Sequence, residues 1–257
     1  MILVVENWEL LAKEGMDMLT KEQEQVRDIL LMPIESTTQE SLNVFIYDGR
    51  IFSSQEYRGY DPDMSDFAVG FYQIIYRQIL KKEYKILKGK MLKNEEFCGD
   101  TMNSYTIVTK KKIDDKERKE WINKYHCLAN LWLLPKHVGH SSSYTAKLKL
   151  MYYSKSKNGI NDYMDNFLHN YLDKYEEYRA VFKDYTKRFT SKNFGDVHFL
   201  EGSYMEKGMV IDFSDEMEDK IIDIIWGKIE NRANLIACKK GEELYEYFLR
   251  LGIIDTK

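Results

Sequence analysis

The sequence predicts an α+β protein, mostly α, in which a helical core carries a small peripheral β-hairpin or sheet. Three observations lead there. Apolar residues recur at helical spacing in several long segments. One Asp-Gly pair separates two β-prone runs. A nearly continuous apolar block, YHCLANLWLLPK (125–136), supplies a surface for amphipathic helices to cover.

The elements follow in order. Over 6–32, Trp8, Leu11, Met18, Val26, Ile29 and Leu30 give an imperfect helical stripe that Pro33 ends. Residues 34–42, IESTTQESL, read as a polar linker. Asn43-Val-Phe-Ile-Tyr and Arg50-Ile-Phe flank Asp48-Gly49, a pair that accepts the positive φ angles of a tight primed turn, so a hairpin is expected over 43–53. After the loop 54–66, Phe67, Phe71, Ile74, Ile75 and Ile79 mark a helix over about 65–82.

Residues 97–103, FCGDTMN, read as a loop, followed by the short β-prone run Tyr105-Thr-Ile-Val-Thr. Asp114 or Asp115 can cap a helix that enters the 125–134 block and stops at Pro135. Residues 136–159 read as an exposed loop region. Met164, Phe167, Leu168, Tyr171, Tyr175, Tyr178 and Phe182 predict the longest amphipathic helix over 161–188. Ile221, Ile222, Ile225, Ile229 and Ile236 predict another over 215–237, and 242–251 a last short one. No internal repeat or low-complexity linker divides the chain, so residues 1–257 read as a single domain.

A chain with 44% apolar residues can bury enough surface to fold unaided. The net charge of −4 and pI near 5.8 give no global attraction to nucleic acid or anionic lipid, so a nucleic-acid partner would need a local basic patch. Cys98, Cys127 and Cys238 are odd in number and lack CxxC spacing, which argues against a disulfide framework or a thiolate zinc site and suits a reducing cytoplasm. The N-terminal apolar run is too short for a signal peptide, and no later run reaches the roughly 18 residues of a membrane span. A cytoplasmic protein without a membrane partner is the expectation. Abundant Tyr, Phe and Lys resemble a nucleic-acid-stacking composition, but they are spread along the whole chain and suit an AT-rich coding bias equally well.

Polar residues placed where they are costly are the candidates for chemistry. In FCGDTMN, Asp100 and Asn103 follow a glycine that turns sharply, a pattern that suits a phosphate, a metal-bound water or merely an Asx-turn. Asp61, Asp63 and Asp66 could offer oxygen to Mg²⁺, although a helix start explains Asp63 and Asp66 as well. His126 and Asn130, four apart, would share one face of a helix as a polar site or as a hydrogen-bonded, partly buried pair. Lys136, His137, His140 and Ser141 to Ser143 form a donor-rich loop, in which two histidines lack a third metal ligand at fixed spacing.

Arg232 lies on the stripe 225–229–232–236. An inward arginine is expensive unless paired, so it is expected to meet an anion, either a structural carboxylate such as one from the DPD segment or a ligand phosphate or carboxylate. His198, before an expected strand, is a further inward residue.

DPDMSDF, CGDTMNS, YHCLANLWLLP, NDYMDNFLHNY and IENRANLI occur in an order that resembles a set of uncharacterised bacterial proteins, close to the domain of unknown function labelled DUF6994, over roughly residues 43–237. That resemblance implies no established activity. The LANLWLLP run is also similar to the GNLTLL part of HNH nuclease-like domains of restriction and phage-defence proteins, but no Asp-His-Ile type metal motif precedes it here.

Two functions are compatible with these readings. One is an enzyme or effector acting on nucleic acid or a nucleotide in a phage-defence-like setting. There His126 is general acid or base, Asp100 a metal ligand or orienting group, and Asn103, Asn130, Lys136 and Arg232 bind a phosphate-bearing substrate. The other is a non-catalytic binding or regulatory protein with a protein partner, whose inward polar residues only hold the core together. Cofactor and metal are unassigned. Convergence of the five side chains Asp100, Asn103, His126, Asn130 and Arg232 on one cleft separates the two.

Overall fold

The computed structural model describes residues 19–37, 44–54, 62–77, 97–103, 115–135, 191–206, 209–210 and 221–255. The described chain is mostly α, with sheets of two and three strands. Helix α1, Lys21–Leu31, opens on a capping box: Gln23 N donates to the Thr20 hydroxyl, and Thr20 N donates back to the Gln23 side chain. It buries Val26, Ile29 and Leu30, the end of the stripe predicted for 6–32. The part before residue 19 lies outside the described residues.

Pro33 stops α1, and Ile34–Thr37 then forms β1, in place of the expected linker. Buried Ile34 pairs with buried Ile51 in a parallel ladder, which gives β3 (Arg50–Ser54) a partner on each side. The other partner, β2 (Phe45–Tyr47), runs antiparallel to β3. Between them Asp48 (φ 48°) and Gly49 (φ 67°) both occupy the left-handed region, as a primed two-residue turn demands. The hairpin is peripheral as predicted, for all three β2 side chains are exposed.

A 3₁₀ turn, Pro62–Met64, leads into helix α2, Asp66–Ile75. Ser65 caps it: its hydroxyl accepts from Ala68 N at 3.3 Å and donates to the Pro62 carbonyl at 2.8 Å. Seven of the ten α2 residues are buried, so this helix runs through the core and is not laid over it.

The largest departure from the sequence reading is at 97–103 and 125–135. Phe97–Thr101 is a strand, β4, and not a loop. Helix α3, Asp115–Lys124, ends before the apolar block. Cys127 is extended (φ −122°, ψ 156°) and bridges Pro33. Leu128–Asn130 makes one 3₁₀ turn, and Leu131–Pro135 becomes β5, antiparallel to β4 with Asp100 opposite Trp132. Leu131, Trp132 and Leu133 are buried on both faces of the strand, so no polar–apolar alternation exists to betray it. A short, wholly apolar run looks the same as a buried helix.

Helix α4, Ser191–His198, places His198 at a helix end where a strand start was expected, and a small hairpin, β6 (Met205–Glu206) with β7 (Met209–Val210), follows. Helix α5, Ile221–Arg250, is one helix of 30 residues, where the sequence suggested two. The helix continues through residues 238–241, between the two expected helices, where it packs along α1. There Gly241 sits so close that a Cβ would stand 2.8 Å from Gln23 Cγ. Ile225, Ile229, Ala233, Ile236, Leu244 and Phe248 form its buried stripe. Among the described residues no helix is long and apolar enough to cross a membrane. The segment 161–188 lies outside the described residues.

Candidate functional site

Arg232 is completely buried, on the predicted stripe of α5. Its Nε donates to the His198 carbonyl at 2.8 Å. One terminal nitrogen donates to the carbonyls of Ala129 (2.6 Å) and Leu131 (2.8 Å), and the other to the Tyr76 hydroxyl (3.3 Å). Among the described residues no carboxylate stands within ion-pair distance; Asp63 of the expected DPD partner faces His126 instead, and Asp61 lies outside the described residues. The reason lies in the local fold. A single 3₁₀ turn followed at once by a strand bonds the Leu128 carbonyl to Leu131 N and the Asn130 carbonyl to Met102 N, and the planar fork meets the carbonyls of Ala129 and Leu131 together. Burial lowers the Arg232 pKa, opposed chiefly by Tyr76, Tyr204 and Tyr72.

Tyr76 passes the network on to His198, whose Nδ1 lies 3.0 Å from the hydroxyl. The hydroxyl accepts from Arg232, which leaves its proton for Nδ1. Burial, and then the charge on Arg232, hold the His198 pKa well below 6.5, so the ring is neutral. Burial likewise raises the Tyr76 pKa, with Arg232 the main opposing influence. The His198 ring also meets Trp132 edge-on, with centroids 5.6 Å apart.

Asn130 is the second node. Its amide nitrogen donates to the carbonyls of Asn103 and Tyr125, both at 2.7 Å, and its oxygen accepts from Asn103 N at 3.1 Å. The Asn103 amide donates to the Tyr204 hydroxyl at 2.6 Å, and the Lys228 ammonium lies 4.7 Å from the centre of the Tyr204 ring. The structure therefore brings Asn103, Asn130 and Arg232 together, with Arg232 holding the carbonyls on either side of Asn130. These contacts lock backbone in place, and all three residues are buried.

The other predicted residues stand apart from this network. Asp100 is half-buried in β4 and accepts from the next residue's N–H, Thr101 N, at 2.8 Å, while the Met102 N–H that an Asx-turn would use goes to the Asn130 carbonyl. His126 is not on a helix face with Asn130, because the chain is bent and then bridged there. Its Nε2 lies 3.3 Å from Asp63 Oδ1, with side-chain exposures of 25% and 5%. Asp63 sits on the 3₁₀ turn, and its carbonyl accepts from the Tyr72 hydroxyl at 3.1 Å. Lys136, His137, His140 and Ser141 to Ser143 lie outside the described residues.

No group of three or more His, Cys, Asp or Glu assembles to hold a metal among the described residues. Burial pushes the Cys127 thiol up to about 12, which removes it as a nucleophile. Sequence reasoning missed Tyr76 and Tyr204. Tyr72 and Tyr76, one turn apart in an apolar helix, were the available signal, because buried tyrosine hydroxyls require partners. Comparison with protein-family models, curated proteins and solved structures finds no match to this chain.

Proposed function

We propose that this chain is a non-catalytic binding or regulatory protein whose inward polar residues hold one arrangement of its core. The engagement of Arg232 carries this reading: four of its N–H groups go to protein oxygens, so its fork is not poised for a phosphate. Thermal melts of the full chain with and without a panel of nucleotides and short nucleic acids test it. Unchanged melting temperatures support an arginine already engaged in the core, and a concentration-dependent rise with a nucleotide that Arg232→Lys abolishes overturns it.

One observation favours a second reading. His126 is partly exposed beside a nearly sealed carboxylate, which suits an acid–base group of an enzyme or effector acting on a nucleotide or nucleic acid, in the phage-defence-like setting and DUF6994-like family that the sequence suggests. Incubation of wild type and His126→Ala with labelled nucleotides and nucleic acids tests that reading. Turnover by wild type that the variant loses supports it, and no turnover by wild type removes it.

A further inference from the structure

Outside the Arg232 network, three separate segments meet at His126. The ring lies against Tyr125, with centroids 4.1 Å apart, and the His126 carbonyl accepts from Ile34 N of β1 at 2.7 Å. The third segment is the Pro62–Met64 turn, which brings Asp63 Oδ1 to 3.3 Å from Nε2. The turn is held from behind. The Tyr72 hydroxyl binds the Asp63 carbonyl, and Gly99 of β4 passes so close that a Cβ there would stand 2.4 Å from the same oxygen. A carboxylate only 5% exposed is thus pinned beside an imidazole 25% exposed. The contact is one of charge more than of an aligned hydrogen bond, since Oδ1 makes none in this geometry.

We propose that Asp63 is the charge partner of His126 and makes its imidazole a proton acceptor within reach of solvent; the inference rests on the second reading above. A carboxylate at this distance favours the protonated ring, and its burial keeps salt and water from screening it. The substrate class is a hydroxyl or a water. In the step, the O–H bond breaks, its electron pair stays on the oxygen, and the proton forms an N–H bond on the ring. The positive charge that results lies beside Asp63. Asp63 acts through His126 and is a positioning residue.

Other ionisable groups on the elements packed here have their own engagements among the described residues. Glu35 of β1 pairs with Arg50, Asp100 of β4 accepts from Thr101 N, and the Tyr72 hydroxyl of α2 serves the Asp63 carbonyl.

NMR titration of the His126 ring in the full chain tests the pair. Replacing Asp63 by Asn should lower the His126 titration midpoint by roughly one pH unit, whereas Asp63→Glu should keep it near wild type. Equal midpoints in wild type and Asp63→Asn overturn the proposal. If Asp63→Asn does not fold, wild type alone decides: its midpoint should exceed that of the same histidine in the urea-unfolded chain, and an equal or lower midpoint overturns the pair. The titration needs no substrate, so it fails or succeeds independently of the turnover assay that judges the enzyme reading.

Discussion

The Arg232 guanidinium stands 2.6 Å from the Ala129 carbonyl across 103 residues of chain. That contact joins the long C-terminal helix to the turn between Cys127 and β5. It makes an arginine the interior support for irregular backbone, a place where, among the described residues, carbonyl dipoles and not an acid balance the charge.

Arg232→Lys should therefore destabilise by roughly 2–5 kcal/mol, because one ammonium cannot reach His198, Ala129 and Leu131 together and leaves buried carbonyls unmet. Urea unfolding of both proteins measures this. A loss of nucleotide binding at unchanged stability would instead restore the anion-clamp role.

Asn130→Asp should be at least as harmful as Asn130→Ala. The side-chain oxygen can still accept from Asn103 N, but an acid has no amide donors for the carbonyls of Asn103 and Tyr125 and, unlike alanine, sets a buried negative charge against those two oxygens. Each buried group left unmet costs about 1–3 kcal/mol. Chemical denaturation of the two variants checks the order.

Trp132 is fully buried beside His198, and Trp132→Ala should cost about 3–5 kcal/mol. A melting temperature equal to wild type would show that this strand is not part of the core.

Gly99→Ala should destabilise severely. The added methyl would lie 2.3 Å from the Tyr72 hydroxyl and 2.4 Å from the Asp63 carbonyl, and the second of these is backbone that cannot rotate aside. Adding Tyr72→Phe relieves only the first clash, so the double variant should stay well below wild type in a thermal melt.

Stability should fall as pH drops below about 6.5. The His198 pKa is depressed in the folded protein, so between its unfolded value and the lower folded one the unfolded chain binds the extra proton. Stability thus rises with pH in that window, by at most about 1.4 kcal/mol per unit from this group. Denaturation midpoints from pH 7 to 4.5 should show a smaller slope for His198→Gln, and an unchanged slope would place the dependence elsewhere.

Periodicity alone located the end of α1, the body of α2 and the buried stripe of α5, because each of these helices shows its neighbours an apolar face that recurs every three or four residues. The Asp48-Gly49 turn was legible for a different local reason, its need for two positive φ angles. The stripe also showed that Arg232 points inward. What it meets there was not legible: the carbonyls of Ala129, Leu131 and His198 are available only because the chain leaves a helix, makes one turn and becomes β5. That exit is a tertiary decision, since LANLWLLP carries no polar–apolar alternation and its local preferences are helical. Pairing with β4 on one side and burial on both faces chose the strand. The same choice separated His126 from Asn130, set Asp63 beside His126, and gave the two expected ligand-binding asparagines structural partners, Asn130 on the backbone of Asn103 and Tyr125 and Asn103 on the Tyr204 hydroxyl. Local spacing determined which residues face inward, and long-range packing decided which atoms they meet there.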